Sequence, residues 1–219
     1  MKYLYSTLLL IIISFSANAQ LSKGLKQIGG SINASHSKTN SENPGYISSD
    51  IYDDSRTSFS FSPSFGFFIK DNISLSAGLG YNYLKNISEY PDDEGTTKET
   101  FKNKSFTFTI NSRFHKSVTD NFYLFLQPSA SVSIGNRQYE QHEDEGTKYY
   151  TFSLGISPGL LFMINEKFGI ESTFGFLGYT KSKNKPYDDS QTLPNSENNN
   201  LNFNLSPSTL QFGFRYYFE

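Results

Sequence analysis

From Ser58 to Ile69 the chain places Phe59, Phe61, Phe65, Phe67 and Ile69 at odd positions, with Ser58, Ser60, Ser62, Ser64 and Gly66 between them. A period of two over that length belongs to a β-strand, because successive side chains leave a strand on opposite faces. After Lys70-Asp71-Asn72 the alternation resumes as Ile73, Leu75, Ala77, Leu79, Tyr81 and Tyr83, set against Ser74, Ser76, Gly78, Gly80 and Asn82. Asp71-Asn72 suits a tight turn, so the two runs read as a hairpin. The unit recurs twice. Phe106, Phe108, Ile110 and Phe114 lead through Thr119-Asp120-Asn121 to Phe122, Leu124, Leu126, Ala130, Val132 and Ile134. Phe152, Leu154, Ile156, Leu160, Phe162 and Ile164 lead through Asn165-Glu166-Lys167 to Phe168, Ile170, Phe174 and Phe176. With a weaker first strand near Lys26–Lys38 and a last one over Leu201–Phe218, eight strands are expected in an all-β antiparallel fold.

The residues between the large apolar ones decide what kind of sheet this is. A soluble sheet presents Lys, Glu and Thr to water, whereas here the second face is mostly Ser, Gly, Thr and Asn, small enough for a crowded interior. A closed sheet of ~8 strands has just enough interior for side chains to fill. The connections alternate as well: those near 71, 120 and 166 are tight, and the segments 39–56, 87–101, 139–148 and 182–200 are long and polar. Short turns at one end and long loops at the other mark transmembrane barrels. The expected fold is therefore an eight-stranded antiparallel up-and-down transmembrane β-barrel, with a soluble β-sandwich or lipocalin-like barrel as the alternative. Its outer belt would be Phe, Leu and Ile, with Tyr81, Tyr83, Tyr149, Tyr150, Tyr179 and Tyr216 at the interfaces.

The start of the chain supports export. Met1-Lys2, the apolar run Leu8 to Ile13 and the small-residue site Ala17-Asn18-Ala19 read as a cleaved signal peptide over 1–19. The apolar run is far shorter than the ~20 residues of a spanning helix. Residues 20–219 then form one domain, in keeping with a prior of ~100–200 residues each. The absence of cysteine removes disulfides, thiol catalysis and a lipid anchor in its usual form. A formal net charge of −2 gives no reason to expect a nucleic-acid partner.

Two features resist a simple barrel. Pro63, Pro128, Pro158 and Pro207 fall inside expected strands, and proline cannot donate to a ladder. The first three sit at similar distances from their tight turns, so bulges at one height are expected. The last strand changes parity between Leu201, Phe203, Leu205 and Phe212 onward, which one bulge near Pro207 would reconcile.

Candidate functional residues fall into two groups. Parity points Arg113, Glu171 and Arg215 inward near the turn end, where Glu171 and Arg215 should pair across neighbouring strands and Arg113 reach in from across the interior. The group reads either as an ion-selective constriction or as a charge network that plugs and stiffens the lumen, since charges in a low dielectric need partners. In the polar segments, acidic clusters follow tyrosines: Asp53 and Asp54; Asp92, Asp93 and Glu94; Glu143, Asp144 and Glu145; Asp188 and Asp189. Together they would form a negative outer rim, open to an extracellular ligand or to hard cations bridging to lipopolysaccharide, although none has the spacing of a dedicated calcium loop. Solvated loop tips are the simpler reading.

Catalysis and cofactors are not expected. A hydrolase acting on lipid A would need a serine activated by a histidine and an orienting carboxylate. The three histidines, His36, His115 and His142, offer only His115-Lys116-Ser117, at the turn end and without a carboxylate. They form no metal site either.

The final strand, Gln211-Phe212-Gly213-Phe214-Arg215-Tyr216-Tyr217-Phe218, carries the remaining signal. Its polar residue, Gly213, Tyr216 and Phe218 resemble the C-terminal insertion signal of bacterial outer-membrane β-barrels; Glu219 departs from the pattern, which usually ends on the aromatic. With the leader, the eight strands and the Ser-Pro strand openings, the chain resembles the small outer-membrane β-barrel family of Bacteroidota, porin-like or OmpA-like. The resemblance covers the mature chain. It implies an integral protein of the bacterial outer membrane but no single activity; a monomer is expected, with lipid and lipopolysaccharide as surroundings and delivery through the barrel-assembly machinery. The expected role is structural or surface interaction, with a narrow channel as the alternative and a lipid A-modifying enzyme behind it.

Overall fold

The computed structural model describes residues 21–43, 50–92, 95–140, 142–186, 196–205 and 210–219; the expected signal peptide lies outside them. Ten antiparallel strands account for almost all of the described chain, and none of it is helical: β1 (Lys26–Asn43), β2 (Asp50–Lys70), β3 (Ile73–Asp92), β4 (Gly95–Ser117), β5 (Phe122–Tyr139), β6 (His142–Met163), β7 (Phe168–Thr173), β8 (Phe176–Pro186), β9 (Ser196–Asn204) and β10 (Gln211–Phe218). Each tight turn lies where expected. Asn72 adopts φ 61° in the first, and in the third the Asn165 side chain accepts the backbone N–H groups of Lys167 and Phe168, both at 2.9 Å.

The polar segments differ from expectation. Their described residues are nearly all strand, paired residue by residue from Thr39↔Asp54 to Asn43↔Asp50 and from Ile87↔Thr100 to Asp92↔Gly95. Hairpin pairing satisfies backbone groups whatever the side chains are, so polarity did not imply loop. The result is strands of up to 23 residues, roughly 75 Å at ~3.3 Å per residue.

Pairing runs β1–β2–β3–β4–β5–β6–β7–β10 and back to β1, with β8 and β9 continuing from β6. The closure is uneven. β10 pairs with β1 only from Lys26↔Phe218 to Gly30↔Phe214. Among the described residues, β1 beyond Gly30 is paired to β2 alone and β9 to β8 alone. Ten strands stand where eight were expected because the last two are each broken. Between Ile156 and Gly159, β6 advances three residues while its partner advances four, from Thr173 to Leu177. The surplus residue sits at Gly175, with φ 70°, in the left-handed region that glycine enters without strain. Over the same stretch the last strand advances eight residues, from Phe203 to Gln211. Five extra residues, an odd number, produce the parity change. Residues 206–209, with Pro207, fall outside the described residues.

The expected bulges at Pro63 and Pro128 are absent. The register is the same on both sides of each, and the ladder merely skips Ser62 and Pro63 toward β3, and Gln127 and Pro128 toward β4. A missing N–H removes a rung without adding a residue. Of the three described strand prolines only Pro158 lies at an irregularity, opposite the β7–β8 break, where its carbonyl accepts the Phe174 N–H at 3.1 Å.

The alternation sorts as the sequence implied. Phe59, Phe61, Leu79, Phe106, Phe108, Val132, Leu154, Phe203, Phe212 and Phe214 are exposed on the outer face. The inner face is Ser, Thr, Gly and Asn until the turn end, where Leu21, Phe68, Tyr123, Phe125, Leu161, Met163 and Tyr217 form the one buried apolar cluster of the described residues. Its signal was legible: alternation lapses at Phe67-Phe68-Ile69, at Phe122–Leu126 and at Leu160–Ile164. Tyr149 is a correction. Expected on the outer belt, it faces inward and is buried, donating to the Asn103 side chain at 2.8 Å with the Arg137 guanidinium 4.7 Å from its ring centre. Adjacent residues on a strand cannot share a face, and Tyr150 holds the outward one.

Candidate functional site

Directly above the apolar layer the structure brings Arg113, Glu171 and Arg215 together. Arg215 on β10 and Glu171 on β7 are neighbours in register, with Gly213 opposite Glu171 and Gly169 opposite Arg215. Glycine at 213 makes the space, since a Cβ there would lie 3.2 Å from the Glu171 side chain and 3.0 Å from the Gly30 carbonyl. Arg113 on β4 has no strand contact with either and reaches across the interior. Arg215 Nε and Nη2 donate to the two Glu171 oxygens at 2.7 and 2.8 Å. Arg113 Nη2 donates to Oε1 at 3.1 Å, and Nη1 to Oε2. One carboxylate therefore takes two guanidinium forks, the geometry that makes charge-assisted bonds strong. All three residues are buried: 4%, 7% and 4% exposed.

Two residues that sequence reasoning passed over complete the cluster. Gln127 Oε1 accepts from Arg113 Nε at 2.6 Å. The Arg113 guanidinium lies 4.5 Å from the Phe125 ring centre, a cation–π stack. On the inner face of β5 Gln127 stands between the buried rings of Tyr123 and Phe125 and the small run Ser129, Ser131 and Ser133, and that step in size and polarity was its signal.

Above the cluster is a cavity of about 330 Å³, walled by Ser62, Ser64, Thr107, Thr109, Asn111 and Gln211 among others, with Arg113, Glu171 and Arg215 as the only charged residues among the described ones that line it. Below it, His115 is wedged between Phe68 and Phe125, at 5.5 and 5.6 Å between ring centres, and its Nδ1 meets the Asn72 carbonyl at 3.2 Å. Ser117 is exposed and donates to the Thr119 carbonyl at 2.9 Å. His36 bonds Thr57 at 2.9 Å on an exposed part of β1. The His142 side chain lies outside the described residues.

The acidic clusters are only partly described. Asp53 pairs with Lys38 at 3.0 Å, and Asp54 accepts from Ser88 at 2.6 Å. Asp93, Glu94, Asp188 and Asp189, and the side chains of Asp92, Glu143, Asp144 and Glu145, lie outside the described residues. Lysines accompany the neighbouring carboxylates, as in Lys98–Glu89 and Lys102–Glu140, both at 2.8 Å. The hydrogen bond from Lys102 holds the Glu140 carboxyl below its ordinary range. Among the described residues no three His, Cys, Asp or Glu side chains gather as metal ligands would. Of the expected insertion signal, Gly213 makes room for Glu171, while Tyr216 packs on Phe168 at 4.9 Å and on Phe218 at 5.9 Å.

No protein-family model matches the chain, and a search of curated proteins returned no match to it.

Proposed function

We propose that this chain is an integral protein of a bacterial outer membrane, a monomer crossing it as an eight-stranded up-and-down barrel with a structural or surface-interaction role. The observation that carries the reading is the outer apolar face: Phe106, Phe212 and Phe214 are 69%, 65% and 66% exposed, and they belong to a band rather than to scattered positions. Isolated apolar side chains on a soluble surface are ordinary, but a continuous band of this extent calls for lipid or a large partner. Its height suits lipid. Phe59 and Ile69 bound it on β2, and ten residues at ~3.3 Å, tilted about 40°, rise about 25 Å, the height of the apolar band of such barrels. The strands continue past it as paired extensions carrying Asp53, Asp54, Lys38, Glu89 and Lys98. On this reading the extensions stand outside the cell and supply the interacting surface.

The buried apolar layer favours a plugged scaffold over a channel. An ion leaving the polar cavity toward the turn end would meet Phe68, Tyr123, Phe125, Leu161, Met163 and Tyr217, and dehydrating an ion there is costly.

Because the chain has no cysteine, single introduced cysteines test the placement cleanly. With a membrane-impermeant maleimide on intact cells, Glu89→Cys should label, Lys116→Cys should label only after the outer membrane is permeabilised, and Leu79→Cys only in detergent. Equal labelling of all three in intact cells would refute the membrane placement.

A further inference from the structure

We infer that the cavity above Arg113 and Arg215 is a binding site for a small oxyanion, a phosphate or carboxylate group. Charge is the first argument. Two guanidiniums and one carboxylate line the cavity, and its remaining described lining residues are neutral, which leaves an excess of one positive charge in a buried place. Buried charge is tolerated when partnered, and Glu171 can neutralise only one of the two arginines.

Donor count is the second. Two guanidiniums carry ten N–H groups, yet the cluster uses five, one to Gln127 and four to Glu171. Arg215 Nη1 is buried without a partner. Asn111 Oδ1, an acceptor in the same lining, is also without a partner, but the surplus on the guanidiniums consists of donors on a cation, and an anionic acceptor answers it. Oxyanions of phosphate and carboxylate type fit that need, and guanidinium forks match them geometrically.

The walls agree. Ser62 and Thr109 supply hydroxyls and Asn111 an amide, which hydrogen-bond to an oxyanion or to groups attached to it, while Ser64 donates to the Gly29 carbonyl and Thr107 is paired with Ser133. Glycine keeps the volume open: a Cβ on Gly78 would lie 3.0 Å from the Pro63 carbonyl, and one on Gly80 3.2 Å from Ser62 Oγ. A volume of about 330 Å³ is at the small end of ligand pockets, which begin at about 300 Å³. The site does not depend on the membrane reading, since it is defined by interior residues alone.

Isothermal titration of the purified chain in detergent, with inorganic phosphate in one series and acetate in another, tests it. Saturable one-to-one binding of either is expected, and the tighter of the two names the oxyanion. Two variants separate binding from folding. Gln127→Glu keeps the acceptor for Arg113 Nε and cancels the excess charge; affinity should fall at least about ten-fold, corresponding to ~1.4 kcal/mol, with thermal stability retained. Thr109→Phe fills the cavity away from the arginines and should abolish binding, with the heat-dependent gel shift of the folded form unchanged. Absence of saturable heat for both anions, or undiminished binding in folded Gln127→Glu and Thr109→Phe, would overturn the assignment.

Discussion

Glu171 holds two arginines that come from opposite sides of the interior, so its removal has consequences beyond one lost bond. In Glu171→Gln the two guanidiniums remain buried and face each other with a neutral amide between them. Breaking a buried ion pair by removing one partner costs ~3–5 kcal/mol, and here the residue removed serves two partners. The expected outcome is a lower temperature for the heat-dependent gel shift, or a lower denaturant midpoint. An unchanged midpoint would mean that the cluster contributes nothing to stability. Close packing acts at the same scale. Phe125 faces Gly159 across β5 and β6, and a Cβ at 159 would lie 2.2 Å from the Phe125 ring. That ring supports Arg113 from below and closes the apolar layer, so the glycine positions a charged group two strands away.

At the scale of elements the uneven closure matters most. From Lys26 to Gly30, β1 has a neighbour on each side; from Ser31 to Asn43 it has β2 alone among the described residues. An antiparallel strand with one free edge offers every second N–H to whatever lies beyond it. Amide exchange along β1 should therefore be uniformly slow over Gln27–Gly30 and alternate between slow and fast residues from Ile32 to Thr39. Uniform protection along the whole strand would mean that β9 and β1 are joined in solution. The composition of the two edges suits exposure: Ser31, Asn33, Ser35 and Ser37 on β1, and Asn198, Asn199, Asn200 and Asn202 on β9. These edges are polar on one face only, since Ile32 on β1 and Leu201 and Phe203 on β9 are exposed on the other.

At the scale of the whole molecule two layers cross the interior, an apolar one at the turn end and a charged one above it. Both lie on the route an ion would take. Single-channel recordings on protein refolded into planar bilayers, with folding verified by the gel shift, should be silent. Reproducible steps would return the channel reading and make the layer around Phe125 and Tyr217 the segment that moves.

Much of this was legible in residue order. The period of two, the tight turns at 71, 120 and 166 and the division into a large apolar face and a small polar one follow from local chemistry, because strand geometry alone sends alternate side chains to opposite faces. The inward parity of Arg113, Glu171 and Arg215 followed in the same way. What polarity suggested as long loops proved mostly strand, since backbone pairing is indifferent to whether a side chain is polar. The breaks at Gly175 and between Asn204 and Gln211, the uninterrupted register at Pro63 and Pro128, and the inward turn of Tyr149 depend on partner strands. So do Gln127 beside Arg113 and the excess positive charge over one carboxylate. Alternation sets which face a residue takes; only the register between strands far apart in the chain sets which residues meet on that face.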